Sequence, residues 1–279
     1  RGRHAVVFQS LRGDVQSSTN DRLMRLLLFI GALKDAGATF VTACVPYLSY
    51  ARKDRRTQPH DPVSTRHIGS LFAAVHTDRV IVLDVHNEAA FDNAFHCETI
   101  RLDAASVFVD ELAARPAGRN YVVASPDIGG IKRAQHFREL LEHRLERPVG
   151  FAFMEKMRSA GVVSGNTWVG DVAGKEVVIY DDLIASGGTL LRAAKAAMGA
   201  GAARVQAMAA HAVFTEETMQ LFGVGGPDTV TVTDSVELAA RFTQCVPERL
   251  HVSSIAPLFG RVLHRIQHGE PLGDLSRTG

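Results

Sequence analysis

Short apolar runs rich in β-branched residues alternate with segments of helical period along nearly the whole chain. That alternation points to α/β layers around largely parallel sheets, because parallel neighbours need a crossover and the crossover is usually a helix. Strand-like runs fall at 4–9, 40–45, 79–85, 121–124, 149–154, 177–180, 204–211, 229–233 and 251–254. Between them, Leu23, Leu26, Leu27, Ile30 and Leu33 repeat at helical spacing, with Asn20 placed to cap the helix and Gly37 to close it. Further helices are expected from about Ser64 and over 104–114, 129–143, 190–200 and 257–267, while 86–103 reads as less regular. The Pro/Gly-bearing segment 115–119 separates two similarly patterned halves. The expected organisation is one domain over 1–115 and a second over 116–256, with the C-terminal helix in 257–279 able to return to the first.

One joint carries more chemistry than the others. In 177–190, VVIYDDLIASGGTL, an apolar run ends at Asp181 and Asp182, and Ser186, Gly187, Gly188 and Thr189 then open a helix. Open α/β sheets bind ligands beyond the carboxyl ends of their strands. Backbone N–H groups at a tight glycine loop, together with the helix dipole, favour a phosphate. Two carboxylates beside such a nest suit a ligand with hydroxyls at one end and phosphate at the other, which describes a sugar phosphate. An ordinary strand–turn–helix joint with surface acids is the plain alternative.

Four more segments follow strands. Arg52, Lys53, Arg55 and Arg56 put four cations around Asp54 in the run Tyr50-Ala51-Arg52-Lys53-Asp54-Arg55-Arg56, an anion-attracting surface if it is more than a solvated loop. Asp84-Val85-His86-Asn87 sets an acid and a histidine at a strand mouth, where they could ligate a metal or contact a polyphosphate. Ser125-Pro126-Asp127-Ile128-Gly129-Gly130 offers an acid and glycines that permit close approach, although helix capping alone would account for Asp127. Lys156 and Arg158 lead into the Ser/Gly-rich stretch 159–167, expected to be a mobile loop whose cations could close over developing charge. The GDVAGK at 170–175 is not a P-loop: it has too few residues between its glycines, Glu176 stands where Ser or Thr belongs, and it precedes a strand.

Composition narrows the class. A formal charge of +1 over 279 residues supplies no basic field for nucleic acid. Cys44, Cys97 and Cys245 are scattered, which fits a reducing compartment rather than a disulfide or zinc framework. The apolar stretch 26–30 is far too short to span a bilayer, and no signal peptide is visible. The expectation is a cytoplasmic protein without membrane or nucleic-acid partners. The chain starts at Arg1-Gly2-Arg3 without an initiator methionine, so it reads as a trimmed version of a longer protein.

Taken in order, the segments QSL, NDRLMRLL, VPYLSYARKDRR, DPVSTR, DRVIVLDVH, VVASPDIGGIKRA, EKMRS, GDV-GK, DDLIASGGTL, GA-RV and SSIAPLFGRVL resemble the ribose-phosphate diphosphokinases, over nearly the whole chain. The resemblance implies two phosphoribosyltransferase-type domains, each a mostly parallel sheet flanked by helices. It implies transfer of the diphosphoryl group of MgATP to the C1 hydroxyl of ribose 5-phosphate, giving phosphoribosyl diphosphate and AMP. On that resemblance Asp181 and Asp182 take the ribose hydroxyls, and Ser186, Gly187, Gly188 and Thr189 the 5-phosphate. Arg52, Lys53 and Asp54 match the ATP loop, His86 and Asp127 the positions near Mg²⁺ and the transferred group, and Lys156 and Arg158 the loop cations. With His86, these two cations form the implied catalytic set. The resemblance further implies a dimer-based homo-oligomer, up to a hexamer, with phosphate and ADP as effectors.

The sequence departs from the family pattern in three places. Lys53 stands where Gln is frequent; Ala185 replaces an acid, as it does in related phosphoribosyltransferases; and 87–95 lacks the usual Gln-rich stretch ending Gly-Phe-Phe. The family's opening segment also has no counterpart in this sequence. A phosphoribosyltransferase consuming the activated sugar, or a non-catalytic regulatory relative, are the competing readings. The cations at 52–53 and at Lys156 and Arg158 argue for synthesis.

Overall fold

The computed structural model describes residues 1–116, 118–159 and 162–275, with the backbone alone for 156–159, 162–167 and 274. The chain divides into two compact units, 1–103 with 257–279, and 104–256.

In the first unit, β1 (His4–Phe8), α1 (Thr19–Asp35), β2 (Phe40–Val45), α2 (Ser64–Ala74), β3 (Arg79–Leu83), α3 (Glu88–Ala94) and β4 (Glu98–Leu102) follow one another. The four strands form an all-parallel sheet in the order β1-β2-β3-β4. β2 and β3 are central and almost wholly buried, which is why their sequences are continuous apolar runs rather than alternating ones. Leu23, Leu26, Leu27 and Ile30 form the buried stripe of α1 against this sheet. Ser18, not Asn20, caps α1: its hydroxyl accepts from the Asp21 N–H while the Asp21 carboxylate accepts from the Ser18 N–H. The Asn20 side chain instead accepts a hydrogen bond from the Tyr50 hydroxyl. The segment 86–103 is more regular than expected, since it holds α3 and β4. A side chain at Gly69 would collide with the Ala94 carbonyl, so only glycine lets α2 and α3 pack this closely.

The second unit contains α4 (Ala105–Ala113), β5 (Tyr121–Ser125), a 3-10 turn at Ile128–Gly130, α5 (Ile131–Leu145), β6 (Gly150–Ser159), β7 (Val162–Val169), β8 (Glu176–Ile184), α6 (Gly188–Gly199), β9 (Arg204–Ala212), a 3-10 turn at Glu216–Phe222, β10 (Thr229–Thr233), α7 (Ala240–Cys245) and β11 (Leu250–Ser253). Its seven strands run in the order β11-β10-β9-β8-β5-β6-β7, parallel except for the β6–β7 pair. Stacking of Tyr180 on Phe137 of α5 and its edge contact with Phe108 of α4 fill the core on one face of this sheet. α4 therefore groups with the second unit, although it falls within 1–115 in the sequence reading. α8 (Ala256–His268) supplies Phe259, whose ring meets Phe8 of β1 edge-on, and 257–279 groups with the first unit.

In the stretch 159–167, expected to be a loop, the described residues are strand: the β7 backbone pairs antiparallel with β6 from Ser159↔Val162 out to Phe153↔Val169, while 160 and 161 lie outside the described residues. Val162, Val163, Thr167, Trp168 and Val169 carry the β preference that outweighs the intervening Gly165.

Candidate active site

β8 positions the paired acids. Its apolar run does not end at Tyr180, because pairing with β9 continues through Asp181↔Ala209 to Ile184↔Ala212. Asp181 and Asp182 thus lie within the strand, four and three residues before Ala185. Both are closer to the core than to solvent, with side chains 21% and 7% exposed. Burial and the neighbouring Asp182 carboxylate push the Asp181 carboxyl up to about 7, and the Arg133 guanidinium opposes the rise. Arg133, in the first turn of α5, places Nη1 3.0 Å from Asp181 Oδ1 and 3.3 Å from Asp182 Oδ1. Arg133 is the residue that the sequence reading missed.

The loop after β8 is built to hold an anion. Gly187 caps α6 with φ +77°, a left-handed conformation that glycine adopts without strain, and no side chain caps the helix. The first-turn N–H groups of α6 are left to an external acceptor, with the helix dipole favouring negative charge. Ser186 is exposed, and Thr189 accepts from Arg192 at 3.3 Å. The 3-10 turn 216–222 supports the loop from below. The fully buried Thr218 donates its hydroxyl to the Ala185 carbonyl, and Leu221 packs against Gly187. The residue type at 185 is therefore of little consequence to this support, since the backbone carbonyl makes the contact.

After β5, Ser125 Oγ donates to the Asp127 carbonyl at 2.6 Å, and Asp127 Oδ1 accepts from the Gly130 N–H at 3.1 Å. A side chain at Gly130 would press on Ser125 Oγ, so this turn requires glycine there. Capping is thus one role of Asp127 that the structure displays directly.

In the first unit, the loop after β2 carries the cation run. Tyr50 (φ +67°) and Asp84 (φ +39°) are non-glycine residues in the left-handed region, one in each of the two chemistry-bearing loops of this unit. Arg52 is exposed and has no hydrogen-bond or ion-pair partner among the described residues. Lys53 Nζ instead turns inward to Asp61 at 2.6 Å, and this contact, with Thr57, holds the Asp61 carboxyl well below the usual range. Asp54 Oδ2 accepts from Asn87 Nδ2 at 2.6 Å, and Asn87 Oδ1 caps α3 through the Ala90 N–H. His86, the residue before that cap, is exposed. A groove of about 330 Å³ opens beside Asp54, lined also by Thr65, Arg66 and Asn93.

Arg52, Lys53, Asp54 and His86 thus fall in the first unit, and Asp127, Asp181, Asp182, Ser186, Gly187, Gly188 and Thr189 in the second. Lys156 and Arg158 lie on the β6 backbone, and their side chains fall outside the described residues. Among the described residues, no three His, Cys, Asp or Glu side chains cluster as a metal site would, and no helix is long and apolar enough to cross a membrane.

The largely parallel α/β second unit thus sets paired carboxylates of β8 just before a helix that glycine opens. Residues 1–75 match the N-terminal domain of ribose phosphate pyrophosphokinase, and 156–277 the phosphoribosyl synthetase-associated domain. The ribose-phosphate pyrophosphokinase of Wolinella succinogenes is 32% identical over 99% of this chain and 84% of its own length. That of Thermotoga maritima is 33% identical over 89% of this chain and 76% of its own. The crystal structure of phosphoribosylpyrophosphate synthetase from Mycobacterium smegmatis superposes with a TM-score of 0.85 at 29% identity, over 96% of this chain and 84% of that one. The chain belongs to the ribose-phosphate pyrophosphokinase family.

Proposed function

We propose that the chain transfers the diphosphoryl group of ATP to the C1 hydroxyl of ribose 5-phosphate, releasing AMP and phosphoribosyl diphosphate. The observation that carries this reading is the pairing of Asp181 and Asp182 at Arg133, just before the side-chain-free start of α6. The N–H groups at Gly188 and Thr189, with Ser186, would take the 5-phosphate. The two carboxylates would accept the ribose hydroxyls and so fix the ring with C1 free for transfer.

Arg52 would contact the triphosphate, with Lys53 and Asp54 shaping its loop. His86 and Asp127 would stand near the metal. Lys156 and Arg158 would neutralise charge that builds on the transferred group, a contribution made largely in the transition state. Oxygen and imidazole donors of this kind fit Mg²⁺ bound chiefly through substrate phosphates, and the burial and carboxylate repulsion that raise the Asp181 carboxyl are what a nearby cation would offset. When bound, Mg²⁺ would supply charge neutralisation on the polyphosphate. Positioning does the rest, since phosphoryl transfer asks for little covalent chemistry from the protein.

The match over 1–75 takes in the cation loop at 52–56, which favours synthesis of the activated sugar over its consumption. A dimer-based homo-oligomer, up to a hexamer, with phosphate and ADP as effectors and a cytoplasmic location, completes the reading. The test is incubation with MgATP and ribose 5-phosphate. AMP formed only in the presence of the sugar supports the assignment; sugar-independent AMP or none overturns it.

A further inference from the structure

Consecutive residues of a β-strand send their side chains to opposite faces of the sheet. Asp181 and Asp182 are consecutive in β8, and both flanking positions keep their register with β9. Two carboxylates in that setting diverge. A sugar diol, by contrast, needs two acceptors that converge on neighbouring hydroxyls. The structure reconciles the two demands at one atom: Nη1 of Arg133 reaches Oδ1 of both acids, at 3.0 and 3.3 Å. The Asp182 N–H also donates to Asp181 Oδ1 at 2.9 Å, bending that carboxylate towards the end of the strand. The Arg133 side chain is only 16% exposed, so water does not readily take its place.

Arg133 is well placed for this by the turn that precedes it. Asp127 and Ser125 fix the 3-10 turn, Gly130 allows its close approach, and α5 then starts at Ile131 with Arg133 in its first turn. The guanidinium thus arrives from a neighbouring strand–helix joint 48 positions away in sequence.

We infer that Arg133 is a positioning residue of the sugar site, gathering Asp181 and Asp182 into one convergent pair that reads the vicinal hydroxyls of the pentose. This rests on the reading of the two acids as hydroxyl acceptors. It adds a specificity claim: Arg133 sets the preference for a ribose over a 2-deoxyribose phosphate, while the loop at 186–189 and the shared 3-hydroxyl supply the part of the affinity common to both.

Calorimetric titration of the full chain with ribose 5-phosphate and with 2-deoxyribose 5-phosphate tests the inference, using wild type, R133M, R133K and D182N. R133M is expected to lose about tenfold of the preference for the ribose form, as expected for hydrogen bonds to charged groups. Its affinity for the deoxy sugar phosphate should stay within about threefold of wild type. R133K restores the charge and is expected to recover most of the lost preference. If R133M does not fold, R133Q keeps the stem without the charge and gives the same readout. Wild-type preference in R133M or R133Q with a lost preference in D182N overturns the role of Arg133 and leaves the acids in theirs. Preference unchanged in all variants overturns the reading of the acids, and the inference with it. A preference as low in R133K as in R133M also overturns it.

Discussion

Asn87 donates from Nδ2 to Asp54 Oδ2 at 2.6 Å, so the turn after β3 is tied to the cation-rich loop after β2. The same side chain caps α3 through Oδ1, which makes one residue responsible for a helix start and a loop anchor. This matters because 87–95 is one of the stretches where the sequence reading marks a departure from the family pattern, and Asn87 ties that stretch to the cation loop.

Two substitutions separate the roles. Asn87→Ala removes cap and tie together and should cost about 1 kcal/mol or more of stability, read by denaturant unfolding. Asn87→Asp keeps a capping oxygen but sets two carboxylates against each other. It should leave stability closer to wild type while raising KM for ATP severalfold in steady-state kinetics. Equal KM in wild type and N87D would show that the tie does not shape the nucleotide loop.

The raised Asp181 carboxyl makes a pH prediction. Its folded value of about 7 lies above the ordinary 3.8, so the native chain holds a proton that the unfolded chain has already released. Its contribution to stability is full below pH 3.8 and is lost as pH rises through about 7. Asp181→Asn should therefore raise the unfolding free energy at pH 8 by an amount on the order of 1 kcal/mol, seen as a higher melting temperature, with the difference vanishing towards pH 4. The variant should bind ribose 5-phosphate poorly at either pH, a stability gain bought at the expense of function. A melting curve at pH 8 unchanged by D181N would mean that Arg133 already compensates the charge.

Thr218 is the buried support of the sugar-phosphate loop. Its hydroxyl donates to the Ala185 carbonyl and accepts from the Thr215 N–H at 2.9 Å. Thr218→Val keeps the shape but strands a carbonyl and an N–H, at a cost of about 1–3 kcal/mol. KM for ribose 5-phosphate should rise severalfold with kcat largely retained, and Thr218→Ser should restore it. A kcat loss at unchanged KM would instead place the 3-10 turn in the transfer step.

Much of the scaffold was legible because buried parallel strands leave plain apolar runs. Phe40–Val45 and Thr229–Thr233 begin and end where the run does. β4, ETIRL, was hidden because only Ile100 and Leu102 of its five residues are buried, and α3 is only seven residues long. The true end of β8 was masked by its own chemistry: Asp181 and Asp182 interrupt the apolar pattern while the backbone pairing continues. At α1 the capping signal was present in the sequence as Ser18 with Asp21 three residues on, and Asn20 drew attention from it. Arg133 was invisible for a different reason. A cation in the first turn of a helix looks like solvated charge, and its partnership with β8 spans 48 positions, a contact that topology creates and local pattern does not announce. The turn residue Gly130, which brings the helix start close to the strand end, was the one available hint.

Lys156 provides the sharpest division between binding and chemistry. It lies on β6, the strand paired parallel with β5 on one side and antiparallel with β7 on the other. If its ammonium meets charge that builds on the transferred diphosphoryl group, the interaction is absent from the complex with ribose 5-phosphate alone. Lys156→Ala should then lower kcat by about 10²–10³-fold, the scale for losing one transition-state electrostatic contact. Ribose 5-phosphate affinity, measured calorimetrically without nucleotide, should stay within about twofold of wild type. Asp182→Ala should do the reverse, weakening the sugar complex before any chemistry occurs. Turnover of K156A near the wild-type rate would remove this strand from the transfer step, and loss of sugar binding in K156A would move the residue into the site that holds the ground state.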